Sequence, residues 1–115
     1  MRRGDICMID LDPVVGSEAS KRRPAVIVSN DGADLAATRL RRGVVTIIPV
    51  TSSVERIYPF QVLLPAASTG LELDSKAQAE QIRAVAVERV GSRVGAVPSA
   101  LMLQIDEALR LHLAL

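Results

Sequence analysis

The sequence predicts a mainly β chain with a C-terminal α-helix, arranged as a small, partly open β-barrel with the helix packed on it. Short runs of β-branched and aliphatic residues, separated by turn residues, fill most of the chain up to Val97. After Pro98 and Ser99 the apolar residues recur at helical spacing instead. The chain has 115 residues with no repeat, low-complexity tract or linker, so residues 1–115 read as one domain.

The first strand is expected over Asp5-Ile6-Cys7-Met8-Ile9-Asp10-Leu11, apolar in its centre and polar at its start. Pro24 to Ser29 and Gly43 to Val50 are short continuous apolar runs, as strands buried in a small barrel require. Phe60 to Leu64 alternates less cleanly, and Ser75–Val85 and Val90–Val97 are further strand candidates. Punctuation falls at Asp12-Pro13, Asn30-Asp31-Gly32, Arg42-Gly43 and Ser68-Thr69-Gly70. Arg39, Arg41 and Arg42 therefore read as a basic cluster in a connection between two strands. In the terminal helix Leu101, Ile105, Ala108 and His112 form a stripe widened by Leu109 and Leu113, which assigns His112 a packing role.

Composition closes off several kinds of chemistry. One cysteine, Cys7, permits neither an internal disulfide nor a cysteine-based zinc site, and is expected as a small core residue. One histidine cannot supply a pair for metal binding or acid–base work, so neither metal nor cofactor is expected. Tyr58 and Phe60 are the only aromatic residues, which argues against a protein that binds single strands mainly by stacking. No apolar run approaches the roughly 18 residues of a membrane span, and acidic residues interrupt the N-terminus where a signal peptide would need apolar ones, so a cytoplasmic location is expected. Net charge is only +1, yet Lys21 to Arg56 carries seven basic residues against three acidic ones. Arginine, whose planar fork grips phosphate in a bidentate manner, accounts for twelve of the fourteen cations.

Two places read as candidate sites. The connection from Asp12 to Arg23 is long for a hairpin loop of about 2–5 residues, and it holds carboxylates, serines, a glycine and three consecutive cations. A solvated surface excursion is the plain alternative. Val50-Thr51-Ser52-Ser53 places three hydroxyls after a buried strand, where they can also simply bond the turn backbone. If the two meet, Arg23 and Thr51 face one cavity, and that pair suits a phosphodiester. The guanidinium would neutralise a pentacoordinate phosphorus and the hydroxyl would donate to a non-bridging oxygen. Glu18 would take the proton of a 2′-hydroxyl nucleophile.

Gly4-Asp5, Asp10-Leu11-Asp12-Pro13, Gly16-Ser17-Glu18, Arg23-Pro24-Ala25-Val26-Ile27-Val28-Ser29 and Pro49-Val50-Thr51 occur in an order and spacing that resembles the MazF/Kid/PemK toxins. Tyr58-Pro59-Phe60, Ser75 and Glu80-Gln81-Ile82-Arg83 resemble the same family's later signatures. The resemblance spans essentially the whole chain. It implies an SH3-like barrel of the CcdB/MazF type and the toxin component of a type II toxin–antitoxin system. The implied activity is a sequence-specific, metal-independent endoribonuclease that cleaves single-stranded RNA and inhibits translation and growth. A homodimer with RNA along a groove at its interface is implied, as is a cognate antitoxin whose disordered C-terminal segment crosses that groove. The family's catalytic arginine, threonine and loop glutamate fall on Arg23, Thr51 and Glu18. Gly16, Ser17, Ser52, Ser53, Ser75, Gln81 and Arg83 match substrate-binding positions.

Relatives often carry glycines before the arginine–proline pair, whereas this loop reads Ala19-Ser20-Lys21-Arg22. That change stiffens the backbone and adds cations for phosphates or an acidic antitoxin segment. The main alternative is a non-catalytic CcdB-like poison of DNA gyrase. The tryptophan tied to gyrase binding in that group has no counterpart here, because the chain has none. A catalytically dead nucleic-acid-binding domain would lack Arg23 or Thr51, and both are present.

Overall fold

The computed structural model describes residues 1–11, 16 and 22–115. Its strands are β1 (Asp5–Asp10), β2 (Arg22–Ile27), β3 (Val44–Thr51), β4 (Gln61–Leu64), β5 (Ser75–Gln78), β6 (Arg83–Ala86) and β7 (Val90–Ala96). The helices are α1 (Asp31–Leu40), the single turn α2 (Ala66–Thr69) and α3 (Ser99–Leu113). The strands run in the order β4-β5-β3-β2-β1-β7, with β6 also paired to β3 and every pairing antiparallel. β4 and β7 end this path, so the described sheet curls without closing.

The continuous apolar runs arise because the central strands are buried on both faces. Ile6, Val26, Ile48 and Val50 join Val62, Leu64 and Ala77 in one core, which Met102, Ile105 and Ala108 of α3 cover. Their neighbours Cys7, Ile9, Ala25, Ile27, Val45 and Ile47 face the other way and pack with Val85 and with Ala37 of α1. Burial raises the Cys7 thiol pKa, with Asp5 adding to the effect, so the thiol is an inert core group as expected. Arg3 ties the chain start to α3: its Nη2 meets Asp106 Oδ1 at 2.5 Å and its Nε donates to Val28 O at 3.0 Å.

Three expectations need correction. The connection read as a basic loop contains α1, and Asn30-Asp31-Gly32 is its start rather than a turn. Asn30 Oδ1 accepts from Ala33 N at 2.8 Å, capping the helix, and Asp31 and Asp34 occupy its electropositive first turn. The candidate strand Ser75–Val85 divides into β5 and β6 around a 3₁₀ turn at Ala79–Gln81. His112 is exposed, because α3 outlasts the core and its packed stripe ends at Leu109.

Asp34 is the fully buried carboxylate of α1. Ser29 Oγ donates a hydrogen bond to its Oδ1, while Oδ2 has no hydrogen-bond partner among the described residues. Burial raises its pKa; the Ser29 bond, the chain's amino terminus and Arg3 pull the other way and Asp31 adds to the rise. A raised native pKa means the folded state keeps a proton that the unfolded chain has already lost. Stability from this group is therefore full below the ordinary carboxylate pKa and falls as pH rises through the native value. Compared with Asp34→Asn, the wild-type chain should gain relative stability as pH is lowered from neutral to about 4. Urea unfolding at several pH values measures this, and a flat difference would refute it.

Candidate functional site

Strand register brings the two candidate segments together. The β2–β3 pairing ends at Ala25–Pro49, and Arg23 and Thr51 each lie two residues beyond that last pair, at the same end of the two strands. Thr51 in turn pairs with Lys76 of β5, and Arg23 with Ile9 of β1.

A groove of about 690 Å³ opens at these strand ends. Arg22, Arg23 and Pro24 line it from β2, Val50 and Thr51 from β3, and Ser52 from the following segment. Met8, Val94, the stretch from Gly70 to Leu73, and Ser75 complete it. The charged groups among these lining residues are two guanidiniums, Arg22 and Arg23, and one carboxylate, Glu72. Arg23 and Thr51 are half-buried, which holds their backbones while leaving the side chains accessible. Thr51 Oγ1 accepts from Ser53 N at 3.2 Å. That bond uses an oxygen lone pair, so the hydroxyl proton stays available for donation to a bound anion. The turn-bonding and functional readings of this hydroxyl are thus compatible.

The wall opposite is built by a network of short contacts. Asp74 Oδ1 accepts from Ala66 N at 2.8 Å, Thr69 Oγ1 donates to Pro65 O at 2.8 Å, and Ser75 Oγ donates to Leu73 O at 2.9 Å. Gly70 ends α2 with φ of +85°, a conformation glycine adopts without strain. This wall rests directly on β7: a Cβ at Gly95 would lie 2.3 Å from Thr69 O.

Of the residues singled out in the sequence, Arg23, Thr51, Ser52 and Ser75 line the groove together. Ser53 does not line it and acts through its amide on Thr51. Gln81 ends the 3₁₀ turn, and Arg83 pairs with Ile47, four residues back along β3 and roughly 13 Å from Thr51 at strand rise; neither lines the groove. Gly16 lies in an exposed turn at φ +59°, whereas Ser17 and Glu18 fall outside the described residues.

Sequence reasoning had flagged Arg22 as an added cation for phosphates, but it missed Met8, Val94 and the Gly70–Leu73 wall, which only the strand pairing brings near. It also missed Lys76, a buried lysine whose Nζ donates to Arg56 O at 2.6 Å. Gln61 and Glu80 join beneath the same segment, Gln61 Nε2 donating to Glu80 Oε2 at 2.6 Å.

A small, open β-sheet with a terminal helix and an arginine- and hydroxyl-lined groove at its strand ends defines the class, a compact β protein with a site for an anionic ligand. The family model for the "PemK-like, MazF-like toxin of type II toxin-antitoxin system" matches residues 2–113. The chain belongs to that family. It is 60% identical over 115 residues to endoribonuclease MazF9 of Mycobacterium tuberculosis strain H37Rv, covering 100% of this chain and 98% of that protein. Endoribonuclease EndoA of Bacillus subtilis strain 168 is 32% identical over 117 residues, covering 100% and 96%. A crystal structure of MazF from Deinococcus radiodurans superposes with a TM-score of 0.82 at 23% identity, covering 100% and 97%, and supports the fold. An endoribonuclease from a mycobacterial species, solved with its cognate antitoxin, superposes at 0.73 and 26% identity, covering 100% and 96%.

Gly95→Ala should push the Thr69–Leu73 wall away from β7 and lower stability by about 1–3 kcal/mol. A shifted urea midpoint together with altered amide resonances at residues 69–73 is the expected result. An unchanged midpoint would refute the contact.

Proposed function

We propose that this toxin cleaves single-stranded RNA in the strand-end groove, with Arg23 and Thr51 as its phosphate-binding catalytic pair. The observation that supports the reading is that Arg23 and Thr51, just beyond the paired ends of β2 and β3, line one groove. The chain is an endoribonuclease of the MazF/PemK type II toxins, in keeping with relatives that match along its full length. Those relatives leave the gyrase-binding alternative without support.

In the proposed reaction the substrate's 2′-oxygen attacks phosphorus and the bond to the 5′-oxygen breaks, which leaves a cyclic phosphate and a 5′-hydroxyl. Arg23 neutralises the charge that accumulates on the non-bridging oxygens, and Thr51 Oγ donates to one of them. Glu18 accepts the 2′-hydroxyl proton, a role drawn from the family motif. The departing 5′-oxygen takes a proton from water, and no atom changes oxidation state, so the reaction needs no redox partner. Ser52 and Ser75 contact the RNA from the groove walls. Gly16, Ser17, Ser53, Gln81 and Arg83 serve the substrate or the loop around it, outside the walls described.

The same cations that meet the RNA backbone attract an acidic antitoxin segment laid across the groove. The working unit is a homodimer, and the place of action is the cytoplasm. No helix among the described residues is long and apolar enough to cross a membrane.

Incubating the protein in excess EDTA with a long mixed-sequence RNA, and mapping cut ends by primer extension, tests the reading. Discrete cuts at one short recurring word are expected without added metal, because every step is assigned to the protein's own groups. Activity lost in EDTA and restored by a divalent ion would overturn this assignment.

Arg23→Ala should lower kcat by at least about 100-fold and Thr51→Val by a comparable factor, as removal of an oxyanion-type donor does. Both variants should keep the wild-type urea midpoint to within about 1 kcal/mol. Loss of folding in Arg23→Ala would make that arginine structural.

A further inference from the structure

We propose that Arg56, Tyr58 and Phe60 form a stacking subsite that holds one unpaired base of the RNA beside the cleavage groove. The proposal rests on the ribonuclease reading above and adds a place where the substrate is held apart from its scissile phosphate.

The chain has one tyrosine, one phenylalanine and no tryptophan. Neither ring is in the cores, which are built of aliphatic side chains with Met102 and Cys7. Both rings sit instead on the segment that follows Thr51 and Ser52. Tyr58 is 42% exposed, and its ring lies parallel to that of Phe60, with centroids 5.4 Å apart and planes 4° apart. Arg56 Cζ lies 5.6 Å from the centre of the Tyr58 ring, and Nη1 donates to the phenolic oxygen at 3.1 Å. An exposed tyrosine ring backed by a half-buried phenylalanine and flanked by a guanidinium is a surface on which a flat base stacks. Composition alone argued against stacking because it counted two rings; the structure places both in one stack.

The segment has no regular secondary structure, yet its backbone is held at several points. Lys76 Nζ donates to Arg56 O at 2.6 Å. Tyr58 N donates to Gln61 Oε1 at 3.1 Å, Gln61 N donates to Tyr58 O at 2.8 Å, and Gln61 is fixed in turn by Glu80. Ordering of the platform is therefore complete before substrate arrives, which removes an entropic cost of binding. Lys76 is also the cross-strand partner of Thr51. The Arg56 carbonyl consequently lies one cross-strand step and one lysine side chain from the strand position that carries Thr51. A base held there extends the substrate outward from the groove, and Arg56 has an anionic backbone within reach.

The lone tyrosine makes the subsite directly observable, since its ring protons give a single set of tyrosine resonances. The cleaved word is first mapped with ordinary RNA, and an oligonucleotide of that word carrying 2′-O-methyl groups throughout is then titrated into the wild-type protein. Upfield movement of the Tyr58 ring resonances is expected, as a stacked base imposes. Tyr58→Ala should raise KM roughly ten-fold or more with kcat little changed, and Tyr58→Phe should recover most of that loss because it keeps the ring. Binding of the oligonucleotide with unmoved Tyr58 resonances, or an unaltered KM in Tyr58→Ala, would overturn the subsite while leaving the ribonuclease reading intact. An RNA left uncut by the wild-type protein would overturn both. If Tyr58→Phe fails along with Tyr58→Ala and both lose their urea midpoint, the ring is structural and the subsite is refuted.

Discussion

The whole arrangement depends on β3 being shared. Its first half pairs with β6 on one side and its middle pairs with β2 on the other, while its last two residues pair with β5. A strand in that position must be apolar on both faces, and Val45, Ile47, Ile48 and Val50 are at most 2% exposed. That burial fixes register, because a slip of one residue would exchange the side chains packed under α3 for those facing α1. Register then fixes the site. The β2–β3 ladder that packs Ala25 and Ile27 with Ile47 ends two residues short of Arg23 and Thr51, so the position of both at the groove follows from core packing.

Most of the architecture was legible because it is written in short-range patterns. The runs Pro24–Ser29 and Gly43–Val50 read as buried strands, and Pro98-Ser99 marked the start of α3. What was not legible depends on partners distant in sequence. Asn30-Asp31-Gly32 has the residues of a turn and also those of a helix cap, and Ala37 and Asp34 decide between them by packing beneath β2 and β3. Lys76 gives no sign in the sequence that its amine ends on a backbone carbonyl twenty residues away. His112 has the right spacing for the α3 stripe, but spacing cannot say where the core beneath the helix stops. The site was read in the same way. The Arg23–Thr51 pair followed from motif and strand ends, while the Gly70–Leu73 wall became visible only once β7 was seen pressed against Thr69.

This division has a functional side. Arg23 and Thr51, the two described groups assigned to phosphorus chemistry, stand on strands whose backbones hydrogen-bonded ladders hold. The surfaces assigned to holding the rest of the RNA stand on connections: the 52–60 segment with its aromatic stack, and the 70–75 wall. A connection tolerates substitution without disturbing the ladder, whereas a strand residue does not. One barrel can therefore keep a single cleavage chemistry while its connections change which bases are held.

The charge distribution supports the same division. Two arginines stand at the groove and a third stands over the Tyr58 ring, in a chain whose net charge is only +1. A weak overall field adds little to long-range capture of RNA, because exposed charges beyond about 10 Å are screened at ordinary salt. Discrimination then rests on short-range contacts, where a guanidinium fork, a hydroxyl and a flat ring each require a specific partner. An acidic protein segment can satisfy the guanidiniums but offers no base to the ring. On the stacking proposal, the aromatic pair beside the groove would therefore separate a nucleic-acid substrate from an acidic peptide competing for the same cations.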